Sequence, residues 1–341
     1  MLAFQTVWIS TNMNHSKDNK KNEIILVTGG LGYLGSQLIR DIVAVNPEIT
    51  VRVLDNFHSG SYRAIMDLPT IGHYEFIEGD ILDPHATRRA LEGVSTVIHL
   101  AAIVRTPMSF DRTTWVEQVN HWGTAHLLEA CLNAKVQRFV FISTTAVYGP
   151  SKQSVNENEA CLPQGIYAQS KRQAEIAINV AGKRGLQYTI FRLGVLYGLA
   201  PVTRFTSFAN RFAYLAGIGR PLSIFGDGRQ KRSLTHVRNA SEAICLVLTH
   251  PNKISGKTFN LVDENISVIQ VANIVQSISS HAVFHFTEQD IRTHLSFSAD
   301  NGLLRATGWQ PKISLQYGMS ELLAQFQNVS TLPYPNKILD E

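Results

Sequence analysis

Six short apolar runs, each closed by glycine, acidic, small or hydroxyl residues, punctuate roughly the first two hundred positions of the chain. The first, Glu23-Ile24-Ile25-Leu26-Val27-Thr28, stops at Gly29-Gly30-Leu31-Gly32-Tyr33-Leu34-Gly35-Ser36 and then resumes with helical spacing, which predicts a buried strand, a turn and a helix. Residues 50–54 predict a second strand running into Asp55-Asn56, and residues 74–78 a third ending in Gly79-Asp80-Ile81. A fourth over 95–100 is capped by Ala101-Ala102, a fifth covers 138–143, and a sixth covers 187–192. Between them the spacing predicts helices over 84–91, 113–134 and 166–184. Near-continuous apolar strands alternating with helices specify an α/β fold, a doubly wound parallel sheet covered on both faces. The C-terminal ends of its strands should line one crevice.

Chemistry collects at those ends. Gly29 and Gly32 permit the backbone angles and close approach that a pyrophosphate needs, Gly35 lets the helix pack tightly on the strand, and free helix N-terminal amides supply partial positive charge. Asp55, about twenty residues on, suits the two ribose hydroxyls of an adenosine and repels a 2′-phosphate, which favours NAD over NADP. Asp80 falls on the adenine side, and the small Ala101 and Ala102 let the backbone approach a cofactor. At the mouth of the fifth strand lie the hydroxyls of Ser143-Thr144-Thr145, followed by Tyr167-Ala168-Gln169-Ser170-Lys171 at the start of the next helix. Tyr167 and Lys171, four apart, share a helix face. A phenol of pKa near 10 becomes a base at neutrality only if lowered by about 3 units, roughly 4 kcal/mol, which a nearby ammonium and a nicotinium ring could supply.

Composition changes this picture little. With 341 residues, 44% hydrophobic and 17% charged, the chain can bury a sizeable core, and its net charge of +4 is scattered and not interleaved with aromatics, so no nucleic-acid partner is inferred. Three widely spaced cysteines, Cys131, Cys161 and Cys245, fit neither a disulfide framework nor a zinc site and suit a reducing cytoplasm. His99, His121, His126 and His236 do not converge, so packing or hydrogen bonding is expected of them and no metal. Met1 to Ile9 are apolar but too short to span a bilayer and lack signal-peptide features, and Ser10 to Asn22 are polar. A flexible extension over 1–22 and no membrane anchor are expected.

Taken together, Thr28-Gly29-Gly30-Leu31-Gly32-Tyr33-Leu34-Gly35, Asp55-Asn56, Gly79-Asp80-Ile81, His99-Leu100-Ala101-Ala102, Ser143-Thr144-Thr145-Ala146-Val147-Tyr148-Gly149 and Tyr167-Ala168-Gln169-Ser170-Lys171 resemble the extended short-chain dehydrogenase/reductases, specifically the NAD-dependent epimerase/dehydratase group acting on nucleotide sugars. The likeness runs from about Ile24 to Leu323. It implies a Rossmann-type NAD-binding domain over 23–193, with 231–262 returning to it. A smaller C-terminal α/β substrate lobe takes 194–230 and 263–328, and 329–341 form a tail. It implies NAD contacts by Gly29, Gly32, Tyr33, Leu34, Asp55, Asn56, Asp80, Ile81, Leu100, Ala101, Ala102, Asn120, Tyr167 and Lys171. Catalysis is assigned to Thr144, Tyr167 and Lys171, and substrate contact to Thr144, Thr145, Tyr167 and Arg232, the last pairing with a nucleotide diphosphate. A homodimer through the helices 113–134 and 166–184 follows from the same likeness. Substrate choice is expected in the loops 103–110 and 199–206.

Departures from the group narrow the reaction. Thr145 and Ala146 stand where sugar-nucleotide 4,6-dehydratases carry an acid pair, so a dehydratase is disfavoured, and the missing glutamate argues against the decarboxylating relatives. Val195 stands where nucleotide-sugar enzymes usually have Asn, and Arg238-Asn239 replaces the usual Asp after His236-Val237. The reading is an NAD-dependent nucleotide-sugar epimerase acting at C4 of a hexose. Two alternatives stay open: a keto-sugar reductase or hydroxysteroid-type dehydrogenase using the same residues, and a non-catalytic NAD-binding protein.

Overall fold

The computed structural model describes residues 23–58, 61–104, 113–151, 153–288, 296–326 and 328–329. The expected N-terminal extension, the tail from 330 on and most of the loop 103–110 lie outside them. Along the chain come β1 (Ile24–Thr28), α1 (Tyr33–Val45), β2 (Thr50–Asp55), β3 (His73–Glu78), α2 (Pro84–Ala90), β4 (Val94–His99), α3 (Thr113–Glu117), α4 (Thr124–Asn133), β5 (Arg138–Thr144), β6 (Ser154–Val155), α5 (Ile166–Lys183) and β7 (Gln187–Leu193). Then follow β8 (Val195–Tyr197), α6 (Phe208–Gly217), β9 (Leu222–Phe225), β10 (Lys231–His236), α7 (Val237–Thr249), α8 (Pro251–Ile254), β11 (Lys257–Leu261), β12 (Glu264–Ser267), α9 (Val268–Ile278), β13 (Phe284–Thr287), β14 (Ser298–Ala299), α10 (Gly302–Arg305) and α11 (Leu315–Ala324).

Seven strands form one parallel sheet in the order β3-β2-β1-β4-β5-β7-β11. The strand order reverses between β1 and β4, and a crevice opens there at the carboxyl ends. Alternate residues of each strand face opposite layers. In β1, Ile25 and Val27 join the core beneath α1 and α7, whereas Leu26 joins the one beneath α2, α4 and α5 with Phe139, Phe141 and Ile190. Both faces are covered, as the unbroken apolar strands require.

The smaller lobe is built on the sheet β12-β10-β8 and the pair β13-β9, with α6, α9 and α11 closing a core that includes Phe212, Leu234, Val271 and Met319. The return to the large sheet starts later than residue 231. β10 pairs with β8 and β12 in the lobe, and only from α7, which packs on α1, and β11, which pairs with β7, does the chain rejoin the nucleotide-binding layer. Among the described residues no helix is long and apolar enough to cross a membrane.

The helix expected over 113–134 is not uniformly α. Between α3 and α4 the turn Gln118–Gly123 is π-helical. Two packing demands meet there: the side chain of Asn120 is engaged with the backbone of Ile103, and a Cβ on Gly123 would come within 2.8 Å of Ile81 Cδ1. A π turn of this kind inside an α-helix commonly marks a functional site.

Candidate active site

The glycine turn is set by contact across the switch point. Gly29 has φ +68°, and a Cβ there would lie 2.6 Å from the Ala101 nitrogen, so the carboxyl ends of β1 and β4 meet with no room for a side chain. Gly32 is the N-cap of α1, with no side-chain cap, and the first turn, which begins with Tyr33 and Leu34, carries no acid. A Cβ on Gly32 would meet only the Gly29 carbonyl, at 3.3 Å. Uncapped amides beside an open face suit a phosphate. Gly35 packs on the turn itself, since its Cβ would fall 2.6 Å from Gly30 Cα.

Asp55 ends β2 and is 8% exposed. Its Oδ2 accepts the Leu31 amide at 3.0 Å and its Oδ1 the Phe57 amide at 2.9 Å, while burial raises its pKa. The acid therefore braces the glycine turn, and each oxygen keeps a second lone pair for a ribose hydroxyl. Asn56 Nδ2 donates to Asp80 Oδ2 at 2.8 Å, joining the ends of β2 and β3 on the adenine side. Ile81 is buried. Its carbonyl bonds His126 Nδ1 at 3.0 Å.

Behind the crevice runs a buried relay. The Ala101 amide donates to Thr28 Oγ1 (3.3 Å), Thr28 pairs with His99 Nδ1 (2.6 Å), His99 Nε2 with Thr124 Oγ1 (2.9 Å), and Thr124 donates to the Asn120 carbonyl (2.7 Å). Since Thr28 accepts at one end and Thr124 donates at the other, His99 carries its proton on Nε2. Burial lowers its pKa to about 3. This histidine holds the Leu100-Ala101-Ala102 segment in place. The Leu100 amide adds a bond to the Thr28 carbonyl at 3.0 Å. Asn120 is 1% exposed. Its Oδ1 accepts the Ile103 amide at 2.8 Å, and its Nδ2 donates to the Ile103 carbonyl and to Ser170 Oγ. It braces the cofactor-side loop against α5 with every side-chain atom engaged.

Thr144, Tyr167 and Lys171 come together where β5 meets α5. Thr144 caps the short 3₁₀ turn Thr145–Tyr148 by accepting the Ala146 amide at 3.2 Å, and its hydroxyl lies close enough to the Tyr167 phenol to pull its pKa downward. Lys171 is 3% exposed. Its Nζ donates to the Ile142 carbonyl at 2.8 Å and stands 4.5 Å from the Phe141 ring centroid. Burial lowers its pKa to about 7, against an upward pull from Glu175. Although Tyr167 keeps partial exposure, burial lifts its phenol to about 12, with the Arg204 guanidinium and the Thr144 hydroxyl pulling downward.

Other expected contacts fall differently. Thr145 is buried and donates to the Leu193 carbonyl at 3.4 Å, pointing into the sheet, while Ala146 is the exposed residue. Tyr33 reaches from α1 to the lobe, donating to the Gly198 carbonyl at 2.5 Å and accepting from Asn210 Nδ2 at 3.0 Å, and Leu34 is buried beneath the turn. Arg232, half-buried on β10, donates to the Lys231 carbonyl, and burial lowers its pKa. His236 caps α7 by accepting the Arg238 amide. Asn239 donates to Asp263 Oδ2 at 2.8 Å, where a second carboxylate would face the first.

Two participants were not anticipated. Arg204, in the loop after β8, acts on both Tyr33 and Tyr167, and its buried Nε has no hydrogen-bond partner among the described residues. No sequence signal marks it. Glu175 is different: it lies four residues beyond Lys171, and the spacing Tyr167, Lys171, Glu175 on one helical face could have revealed it.

The family profile described as NAD dependent epimerase/dehydratase matches residues 25–261. A dTDP-D-glucose 4,6-dehydratase of Mus musculus is 28% identical over 317 residues, covering 89% of this chain and 88% of that protein. An uncharacterized UDP-glucose epimerase of Bacillus subtilis, YtcB, is 29% identical over 323 residues, covering 89% and 98%. Among solved structures, the UDP-glucuronic acid 4-epimerase of Bacillus cereus in complex with UDP-glucuronic acid and NAD superposes with a TM-score of 0.81 at 26% identity, covering 89% of this chain and 99% of that one. The sheet order, the glycine crevice and these matches agree, and the chain belongs to the NAD-dependent epimerase/dehydratase family.

Proposed function

We propose that the protein is a nucleotide-sugar epimerase that inverts C4 of a hexose through a transient 4-keto sugar. The observation that carries this reading is the junction of Thr144, Tyr167 and Lys171 at the carboxyl end of β5, on the strand adjoining the β1–β4 crevice. Bound there, NAD supplies a hydride acceptor that returns the hydride in the same turnover. Tyr167 takes the proton of the C4 hydroxyl, Thr144 hydrogen-bonds the same oxygen, and Lys171 holds the ribose and favours the phenolate. Thr145, turned into the sheet, and Ala146 offer no acid to expel a C6 hydroxyl, which separates this site from the dehydratases. Arg232 on β10 is assigned to the nucleotide diphosphate as a forked cationic donor.

The test is incubation of the purified protein with UDP-glucuronic acid, UDP-glucose and other nucleotide sugars, followed by chromatography that separates stereoisomers. Conversion without added cofactor supports the epimerase, and Tyr167→Phe should abolish it while NAD stays bound. Val195, an apolar side chain on β8 packed against the lobe core, favours a second reading, a keto-sugar reductase with a less polar pocket. That enzyme would need added cofactor and change its absorbance stoichiometrically. We also assign a homodimer, supported by exposed Trp122, Ile176 and Val180 beside the paired helices.

A further inference from the structure

Three consecutive residues of β5 meet three side chains spaced four apart on α5. Thr144 adjoins the Tyr167 phenol, the Ile142 carbonyl accepts from Lys171 Nζ at 2.8 Å, and Ser143 Oγ donates to Glu175 Oε1 at 2.6 Å. Glu175 is wholly buried. Arg192 donates to it through Nε (3.0 Å) and Nη2 (2.9 Å), and Arg172 through Nη1 (2.8 Å). Four donors on two oxygens fill the carboxylate. Fixing a helix on a sheet does not require this, since an apolar pair of similar volume is often as stable as a buried ion pair.

We propose that Glu175 is a positioning residue for the catalytic pair, keeping the Lys171 ammonium charged and the Ser143-Thr144 strand end in register with the Tyr167 phenol. The inference rests on the roles given above to Tyr167 and Lys171. Lys171 faces neutral His99 from β4, the Phe141 ring and Ile142 carbonyl from β5, and Glu175 from its own helix. Glu175 faces Arg172, Arg192 and the Cys161 thiol, while Tyr148 and Glu157 face Arg192, and Arg204 faces Tyr167 from the loop after β8. Of these, Glu175 is the group favouring a charged Lys171. Without it the upward pull on Lys171 is gone, and the cation one helical turn from the phenol is lost near neutrality.

The test is a phenolate titration, read as the ultraviolet difference between a protein and its Tyr167→Phe counterpart with NAD bound, which needs no sugar. Glu175→Gln is expected to raise the Tyr167 midpoint by about one unit. The pair Glu175→Met with Arg192→Met removes both charges and is expected to unfold at or above the wild-type temperature, yet to show the same rise. A folded variant of either kind whose midpoint stays within about 0.3 unit of wild type overturns the proposal. Failure of the epimerase reading is distinct, because it appears as a wild-type protein that leaves every sugar unchanged while the titrations behave as expected.

Discussion

Asp55 Oδ2 accepts the Leu31 amide at 3.0 Å, so the acid that closes β2 holds the glycine turn from behind as well as facing the crevice. Its partner oxygen accepts the Phe57 amide. In Asp55→Asn one of those two amides must face an NH₂ donor. The variant should lose about 1–3 kcal/mol of stability and at least about tenfold in NAD affinity. Denaturant unfolding and calorimetric titration with NAD measure the two effects separately.

Gly29 carries a double demand in the cofactor turn, a positive φ and a close backbone contact. An Ala there needs φ +68° and places its methyl 2.6 Å from the Ala101 nitrogen, a backbone atom that cannot swing aside. Gly29→Ala should therefore displace β1 from β4 at the crevice, abolish NAD retention through purification and lower the unfolding temperature. A variant that copurifies with a full complement of NAD would contradict this.

His99 makes the fold acid-sensitive. Its folded pKa of about 3 lies below the ordinary 6.5, so below pH 6.5 the unfolded chain binds a proton that the native chain refuses. The stability it contributes is complete above pH 6.5 and is lost as the pH falls toward 3, with a slope of about 1.4 kcal/mol per unit. His99→Gln should flatten that limb, and its stability deficit relative to wild type should shrink from pH 7 to pH 4. Urea midpoints across that range provide the measurement.

Ile176 and Val180 are 43% and 52% exposed, one turn apart on α5, and Trp122 is 61% exposed on the adjoining helix. The proposed dimer would place a second copy over this face. Val180→Glu should convert a sedimenting dimer to a monomer. Wild-type protein that sediments as a monomer at micromolar concentration would remove the assignment.

How much could be read in advance varied with the kind of residue. The strands of the large sheet were legible because both their faces are buried, leaving unbroken apolar runs such as Ile24–Thr28 and Arg138–Thr144. The short strands β6, β12, β13 and β14, two to four residues each, carry no such run and form by pairing with distant segments. Gly29, Asp55, Thr144, Tyr167 and Lys171 stood out because their spacing is fixed by a strand end or a helical turn. The bonds that Thr145 and Asn120 make could not be read in advance, since they depend on the Leu193 and Ile103 backbone groups contributed from elsewhere. Arg204 was invisible for the same reason: its influence on Tyr167 arises from a loop whose path the local sequence does not dictate.

The match between three successive positions of β5 and every fourth position of α5 leaves no slack in the length of that helix segment. Adding or deleting one residue between Tyr167 and Glu175 would rotate everything beyond it by about 100°, carrying the carboxylate off the sheet while the phenol stayed behind. Point substitutions can drift through this stretch, but a change in its length would separate the phenol from the side chains that support it.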